Sequence, residues 1–290
     1  MSIQFSAGTL SGEMRTLVEA ADLRRHVAEF AAIYDRRPIR TNSGGMRFNH
    51  SFATWCMLRL LKPRFVVESG VWQGHSTWLI EQACPDAQVF CLDLDFSKLV
   101  FRSPRATYIQ KDFSECTWPG VDPAAAVCFF DDHQNAYQRL KDMRWAAFTR
   151  AIFEDNFPSH GGDCYSIRKV IDGTGHERVQ LSSNWLGDAQ NQQRLKMMES
   201  ALWSIRTQQH LLVRANTADR ELFAGNCREY FEFPPVALSR TDDRGEPYEG
   251  VNRTEKPIYA DDELPKDLHN LIASDPLEFS YCNIAYVELR

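Results

Sequence analysis

The chain has 290 residues, 43% apolar and 25% charged, which is the make-up of an ordinary globular protein and excludes a disordered or fibrous chain. Its 33 Lys and Arg against 39 Asp and Glu leave a formal net charge of -6, which argues against a nucleic-acid-coating role. No apolar run approaches the ~18 residues needed to cross a bilayer, and the N-terminal stretch MSIQFSAGTLSGEMR has neither a basic leader nor a continuous apolar run. The expectation is a soluble, cytoplasmic protein with no membrane and no nucleic-acid partner. The eight cysteines show no CxxC or other short metal-type spacing, so reduced structural thiols are expected.

Apolar residues from Leu17 to Tyr34 recur at three- and four-residue steps and predict an amphipathic helix, broken by Arg36-Arg37-Pro38. Asn42-Ser43-Gly44-Gly45 reads as a turn, and Phe52, Trp55, Leu58 and Leu61 as a second helix stopped before Pro63. Residues 1–62 thus form an N-terminal helical segment packed on a core that occupies 63–290.

From there the pattern alternates. Short apolar strands are expected over 64–70, 88–93, 106–110, 126–131 and 151–155, with helices at 75–83 and 136–144 between them. Strands apolar on both faces and separated by helices indicate a parallel sheet covered on both sides. Further on, 191–209 carries a long helical pattern, while 229–236 and 281–289 read as strands, the last one alternating. The polar, proline-containing stretch over 239–276 is too long for an ordinary connection, so a lid or substrate-binding insertion is expected there.

Chemistry concentrates at the strand ends. Val66-Val67-Glu68-Ser69-Gly70-Val71-Trp72-Gln73-Gly74-His75-Ser76 runs from a buried strand through glycines into a helix. Gly70 permits a tight turn, and Gly74 would let a ligand approach the backbone at the helix N-terminus. The spacing is not the GxGxxG of dinucleotide enzymes. Asp93 closes the second strand, where such sheets hold ribose hydroxyls, and Asp112 follows the third. An acid-lined cleft opposes a diphosphate and suits the sulfonium and ammonium of S-adenosylmethionine. Two more acidic groups, Asp131-Asp132-His133 and Glu154-Asp155-Asn156, end the fourth and fifth strands. Their hard oxygens suit magnesium or a similar divalent cation. His133, beside them, is the expected proton acceptor from a metal-bound hydroxyl.

These residues carry a resemblance. Glu68, Gly70, Gly74 and Ser76, followed by Cys-Leu-Asp93-Leu-Asp95, resemble the S-adenosylmethionine site of Rossmann-fold methyltransferases, in the catechol and macrocin O-methyltransferase-like groups. The resemblance covers about residues 45–172. It implies an α/β Rossmann-like methyltransferase sheet of seven strands, mostly parallel, with a C-terminal antiparallel strand. It also implies that the glycine loop contacts the methionine moiety, Asp93 the ribose, and Asp112 or its neighbours the adenine. Phe130-Asp131 with Glu154-Asp155-Asn156 is similar to the metal-binding pattern of catechol enzymes. The continuation from Phe157 to Val170 is similar to the cephalosporin hydroxylase and rhamnosyl O-methyltransferase group, which favours Glu154 with Asp155. Asp131 and Asp155 are common to both, and either Glu154 or Asn156 completes the set. The lysine base of catechol enzymes has no counterpart, since Gln134 stands at that position.

The expectation is therefore a metal-dependent O-methyltransferase acting on a hydroxyl of a sugar, a glycosylated metabolite or another small molecule. The related groups often assemble, so a homo-oligomer is among the expected partners. The alternative is a catalytically inactive binding module or scaffold subunit that keeps the nucleoside pocket. An oxidoreductase on the same sheet is disfavoured by the missing third glycine.

Overall fold

The structure, a computed structural model, describes residues 12–42, 44–158, 164–173, 217–238, 256–260, 262–279 and 283–290. The helix expected over 191–209 lies outside these residues, as does Cys282.

Seven strands form one sheet: β1 (Phe65–Ser69), β2 (Gln88–Leu92), β3 (Thr107–Ile109), β4 (Ala126–Phe130), β5 (Arg150–Phe153), β6 (Cys227–Glu232) and β7 (Ala285–Leu289). Their order is β3-β2-β1-β4-β5-β7-β6. The first five run parallel, and β7 inserts antiparallel between β5 and β6. β1 and β4 are buried along their whole length, as expected of central parallel strands rich in Val and Phe. The alternation expected in the last strand does not appear, because β7 lies inside the sheet and all five of its residues are buried.

The two-residue period of the strands separates two apolar layers. Val66, Val127, Phe129, Ile152 and Tyr286 face one layer, packed beneath the N-terminal helices. Phe65, Val67, Cys128, Phe130, Phe153 and Val287 face the other. The first layer is covered by α1 (Glu13–Ala20), α2 (Leu23–Tyr34), α3 (Phe48–Leu61) and α4 (His75–Ala83). The second is covered by α5 (Ala136–Trp145), α6 (Ile167–Ile171) and α7 (Thr217–Asn226). The helix expected over Leu17 to Tyr34 is two helices. The first closes at Ala21, whose backbone is extended, and Asp22 caps the second by accepting from the Arg25 N–H at 3.1 Å.

The N-terminal segment is integral to this packing. Phe30 and Phe52 lie 5.6 Å apart, and Phe52 meets Phe233 from the C-terminal part at 5.8 Å. The buried Glu229 carboxylate on β6 accepts the Met14 and Arg15 N–H groups at the start of α1. Part of the expected 239–276 insertion is also structural. Ile258 and Tyr259 bond back to Pro235 and Val236, and α8 (Lys266–Ser274) buries Leu268 in the first layer. Glu278, just beyond it, accepts from the Tyr34 hydroxyl at 2.7 Å and from the Phe48 N–H at 2.9 Å. Among the described residues no helix is long and apolar enough to cross a membrane.

Candidate functional site

The carboxyl ends of β1, β2, β4 and β5 share one edge of the sheet, and the turns leaving them hold most of the expected site residues. At the end of β1, Gly70 has φ +89°, and a Cβ there would lie 2.0 Å from the Asp131 carbonyl oxygen. Only glycine lets the loops after β1 and β4 touch. Gly74, at φ +93°, precedes α4, and the close approach expected of a ligand is made there by the chain itself: a Cβ would meet the Phe101 carbonyl at 2.2 Å. Val100 and Phe101 in turn donate to the Gln73 carbonyl, fixing the loop over the turn.

Asp93 holds this turn from the side. Its Oδ2 accepts the Val71 N–H at 2.9 Å and the Trp72 N–H at 3.2 Å, so part of its hydrogen-bonding capacity serves the loop. Trp72 has φ +48° and is 43% exposed, with Lys98 Nζ 4.7 Å from its ring centroid. Ser76 is buried in the first turn of α4. A narrow cleft runs between Val71, Trp72, Gln73 and Ser76 of the turn, Asp131 of β4's loop, and Asn42 and Met46 from the N-terminal segment.

Glu68 is not a rim residue. Its place in the strand alternation turns it under the loop, where it is fully buried. Its Oε2 accepts from Thr77 at 2.6 Å and from the Cys91 thiol at 3.1 Å, while Oε1 is buried without a hydrogen-bonding partner. Burial pushes its carboxyl up to about 7, against the pull of Ser76, Thr77 and Cys91.

Asp112 is also engaged. Arg139 on α5, itself buried, donates to both Asp112 oxygens at 2.9 and 2.6 Å and to Asp132 Oδ2 at 2.9 Å. The guanidinium bonds hold the Asp112 carboxyl well below the usual carboxylate range. Asp132 also accepts from Ser69, so one arginine ties the loops after β3 and β4 to α5. The helical pattern of α5 hides this residue, because a lone Arg on a polar helix reads as solvated.

The second carboxylate group divides. Asp131, His133 and Asp155 each bring a ligand atom to one place, all within 4.8 Å of one another. His133, expected as a base standing over the centre, is part of this cluster: its Nδ1 is 2.9 Å from Asp155 Oδ2, and its side chain is 54% exposed. Burial and the neighbouring Glu154 and Asp155 charges push the Asp131 carboxyl well above its ordinary range. Burial pushes Asp155 the same way, but the His133 imidazole, with Glu154 and His50, more than reverses it.

Glu154 and Asn156, the two candidates to complete the metal set, are both occupied elsewhere. Glu154 shares the alternation of Ile152 and turns toward α3, where the His50 Nδ1 bonds its Oε1. Asn156 donates to the Tyr230 hydroxyl at 2.8 Å and accepts the Arg168 N–H at 2.9 Å. His50 had no signal in the sequence, since it lies in an apolar helix far from either acidic motif. His75 is buried against Ser51 at 2.9 Å, and burial lowers its imidazole to about 3.

No family model matches the chain, and neither does any curated protein. Among solved structures it is similar to two described as cmcI-N160 SAH and cmcI-D160 Mg-SAM, each at 24% identity over 42% of this chain. These matches cover 68% and 59% of those chains, with TM-scores of 0.34 and 0.33. It is also similar to the O-methyltransferase TomG from Streptomyces achromogenes in complex with SAM, at 14% identity, over 67% of this chain and 82% of that one, with a TM-score of 0.31. The strand order β3-β2-β1-β4-β5-β7-β6, with β7 alone reversed, gives the chain a Rossmann-like methyltransferase fold.

Proposed function

We propose that the chain is an S-adenosylmethionine-dependent O-methyltransferase that works with a divalent cation on a small acceptor bearing neighbouring hydroxyls, a sugar or glycoside being the best match. The observation that carries this reading is a juxtaposition. The glycine turn after β1 and the Asp131–Asp155 pair lie on the same sheet edge, and Asp131 lines the cleft that the turn opens.

The residues fit both groups. Trp72, Val71, Met46 and Ser76 wall the cleft, and its one acid among the described residues, Asp131, suits a ligand carrying a sulfonium and an ammonium. At the second position, Asp131 and Asp155 stand close together, and Asp131 sits in the field of three further carboxylates, Glu154, Asp155 and Asp132. Both are relieved by positive charge. A bound cation supplies charge that lowers the pKa of an acceptor hydroxyl. S-Adenosylmethionine would supply a methyl group on a sulfonium, a good leaving group for transfer to an acceptor oxygen.

The protein's own task is alignment. Asp93 fixes the turn through Val71 and Trp72, and Gly70 brings that turn against Asp131. Donor pocket and carboxylate pair are thereby held in one geometry, and such pre-positioning supplies several kcal/mol of barrier lowering. The acceptor's proton would pass to bulk water on the exposed side of the centre, where His133 lies.

Calorimetry with S-adenosylmethionine and transfer of a labelled methyl group to a panel of vicinal diols test the reading. Asp131→Ala and Asp155→Ala should each abolish transfer while leaving cofactor affinity near wild type. Absence of cofactor binding by the wild-type chain overturns it. Loss of cofactor binding in both variants overturns the assigned roles.

A further inference from the structure

The two acidic motifs hold six candidate donors, and the structure brings three of them to one place. Asn156 has both ends of its amide bonded, to Tyr230 and Arg168. Glu154 is held by His50. Asp131, Asp155 and the imidazole of His133 each bring one ligand atom to a common place, all within 4.8 Å of one another.

The separation between two of these donors is informative. His133 Nδ1 and Asp155 Oδ2 are 2.9 Å apart. Two ligands at right angles, each about 2.1 Å from one ion, stand about 3 Å apart. The pair therefore has the bite of neighbouring ligands. His133 reaches in from the exposed side, at φ +53° in a loop whose next acid, Asp132, is locked by Ser69 and Arg139. That lock sets the direction of the loop carrying both Asp131 and His133.

We infer that His133 is the third protein donor of this centre, and that the chain selects a first-row transition metal ion such as Mn²⁺, Fe²⁺ or Co²⁺ over Mg²⁺. This rests on the reading of Asp131 and Asp155 as a cation site. The chemical reason is the nitrogen. Magnesium keeps to oxygen ligands and water, whereas imidazole suits the transition ions. Two carboxylates and one imidazole also leave positions open for two acceptor oxygens.

The test uses the full chain with metal alone. Co²⁺, Mn²⁺ and Mg²⁺ affinities are measured by calorimetry for the wild type, His133→Ala and His133→Gln, with circular dichroism to confirm folding. Pulsed electron paramagnetic resonance of the Mn²⁺ form reads ¹⁴N coupling directly. The expected result is ¹⁴N coupling in the wild type that disappears in both variants, with Co²⁺ affinity falling at least about 10-fold and Mg²⁺ affinity little changed. Absence of ¹⁴N coupling in the wild type, or its persistence in His133→Ala, overturns the inference. So does a variant that loses turnover while keeping full Co²⁺ affinity, which is the behaviour of a base. If no divalent ion binds the wild type at all, the cation reading itself fails; if Mg²⁺ binds as well as Co²⁺ and ignores His133, only the nitrogen ligand fails.

Discussion

The main-chain N–H of Asn283 donates to the Nε2 of His50 at 2.7 Å, which leaves the imidazole proton on Nδ1, facing Glu154. Burial keeps this ring neutral by lowering its pKa to about 3. A residue of α3 thereby joins the segment leading into β7 to the acid that follows β5, immediately beside the carboxylate centre. The N-terminal helices are part of the site's support.

Replacing this ring should be costly. His50→Leu leaves the Asn283 N–H without an acceptor and Glu154 without its donor, both buried, for a loss of about 2–5 kcal/mol. In urea denaturation, His50→Leu combined with Glu154→Gln should lose less than the sum of the single variants, because the second change removes the stranded charge. Strict additivity would show that the two residues do not depend on each other.

Glu68 sets a pH dependence. Its carboxyl titrates at about 7 when folded and near 4.5 when unfolded, so the folded chain binds the extra proton between those values. The stabilisation is complete below pH 4.5 and is lost as pH rises through 7, a change on the order of 3 kcal/mol. Glu68→Gln should flatten stability over this window relative to wild type, measured by urea midpoints at pH 5 and pH 8. An unchanged slope in the variant would mean that Glu68 is not the group responsible.

The sheet was legible because buried parallel strands are short, apolar and punctuated: β1, β4 and α4 stand where Val66-Val67, Ala126 to Phe130 and Gly74-His75 announce them. Asp131 and Asp155 were legible as a pair for the same reason, since strand ends on adjacent parallel strands must meet. What the sequence could not display was competition for side chains. Asn156 and Glu154 look as available as Asp155 until Tyr230, Arg168 and His50 arrive from distant segments. Asp112 looks free until Arg139 takes it. The split at Asp22 was missed because apolar spacing alone ignores a capping side chain.

Gly74 and Gly120 give a paired test of the turn. Both have positive φ, +93° and +80°, so alanine is strained at each by about 1–2 kcal/mol. At Gly120 a Cβ meets nothing within 4 Å, whereas at Gly74 it meets the Phe101 carbonyl. Gly120→Ala should therefore cost only the conformational strain. Gly74→Ala should cost clearly more and weaken cofactor binding by displacing the loop. Equal melting points for the two variants would remove the tight contact from the account of the turn.

Arg139 separates support from ligand contact at Asp112. The guanidinium is the shared cation of Asp112 and Asp132, and Arg139→Met leaves both carboxylates with only their hydroxyl and main-chain donors from Ser114, Ser69 and Gln134, at a cost of about 3 kcal/mol. Asp112 is held below its ordinary range chiefly by that guanidinium, against the effect of burial. Its folded value lies below its unfolded one, so it contributes stability at neutral pH that is lost as pH falls through the acid range. Arg139→Met should abolish that part of the acid dependence. Asp112→Asn should lower stability with Arg139 present and change it little in the Arg139→Met background. If Asp112→Asn instead leaves the urea midpoint intact and weakens S-adenosylmethionine binding alone, Asp112 is a contact to the adenine and not a brace between β3 and α5.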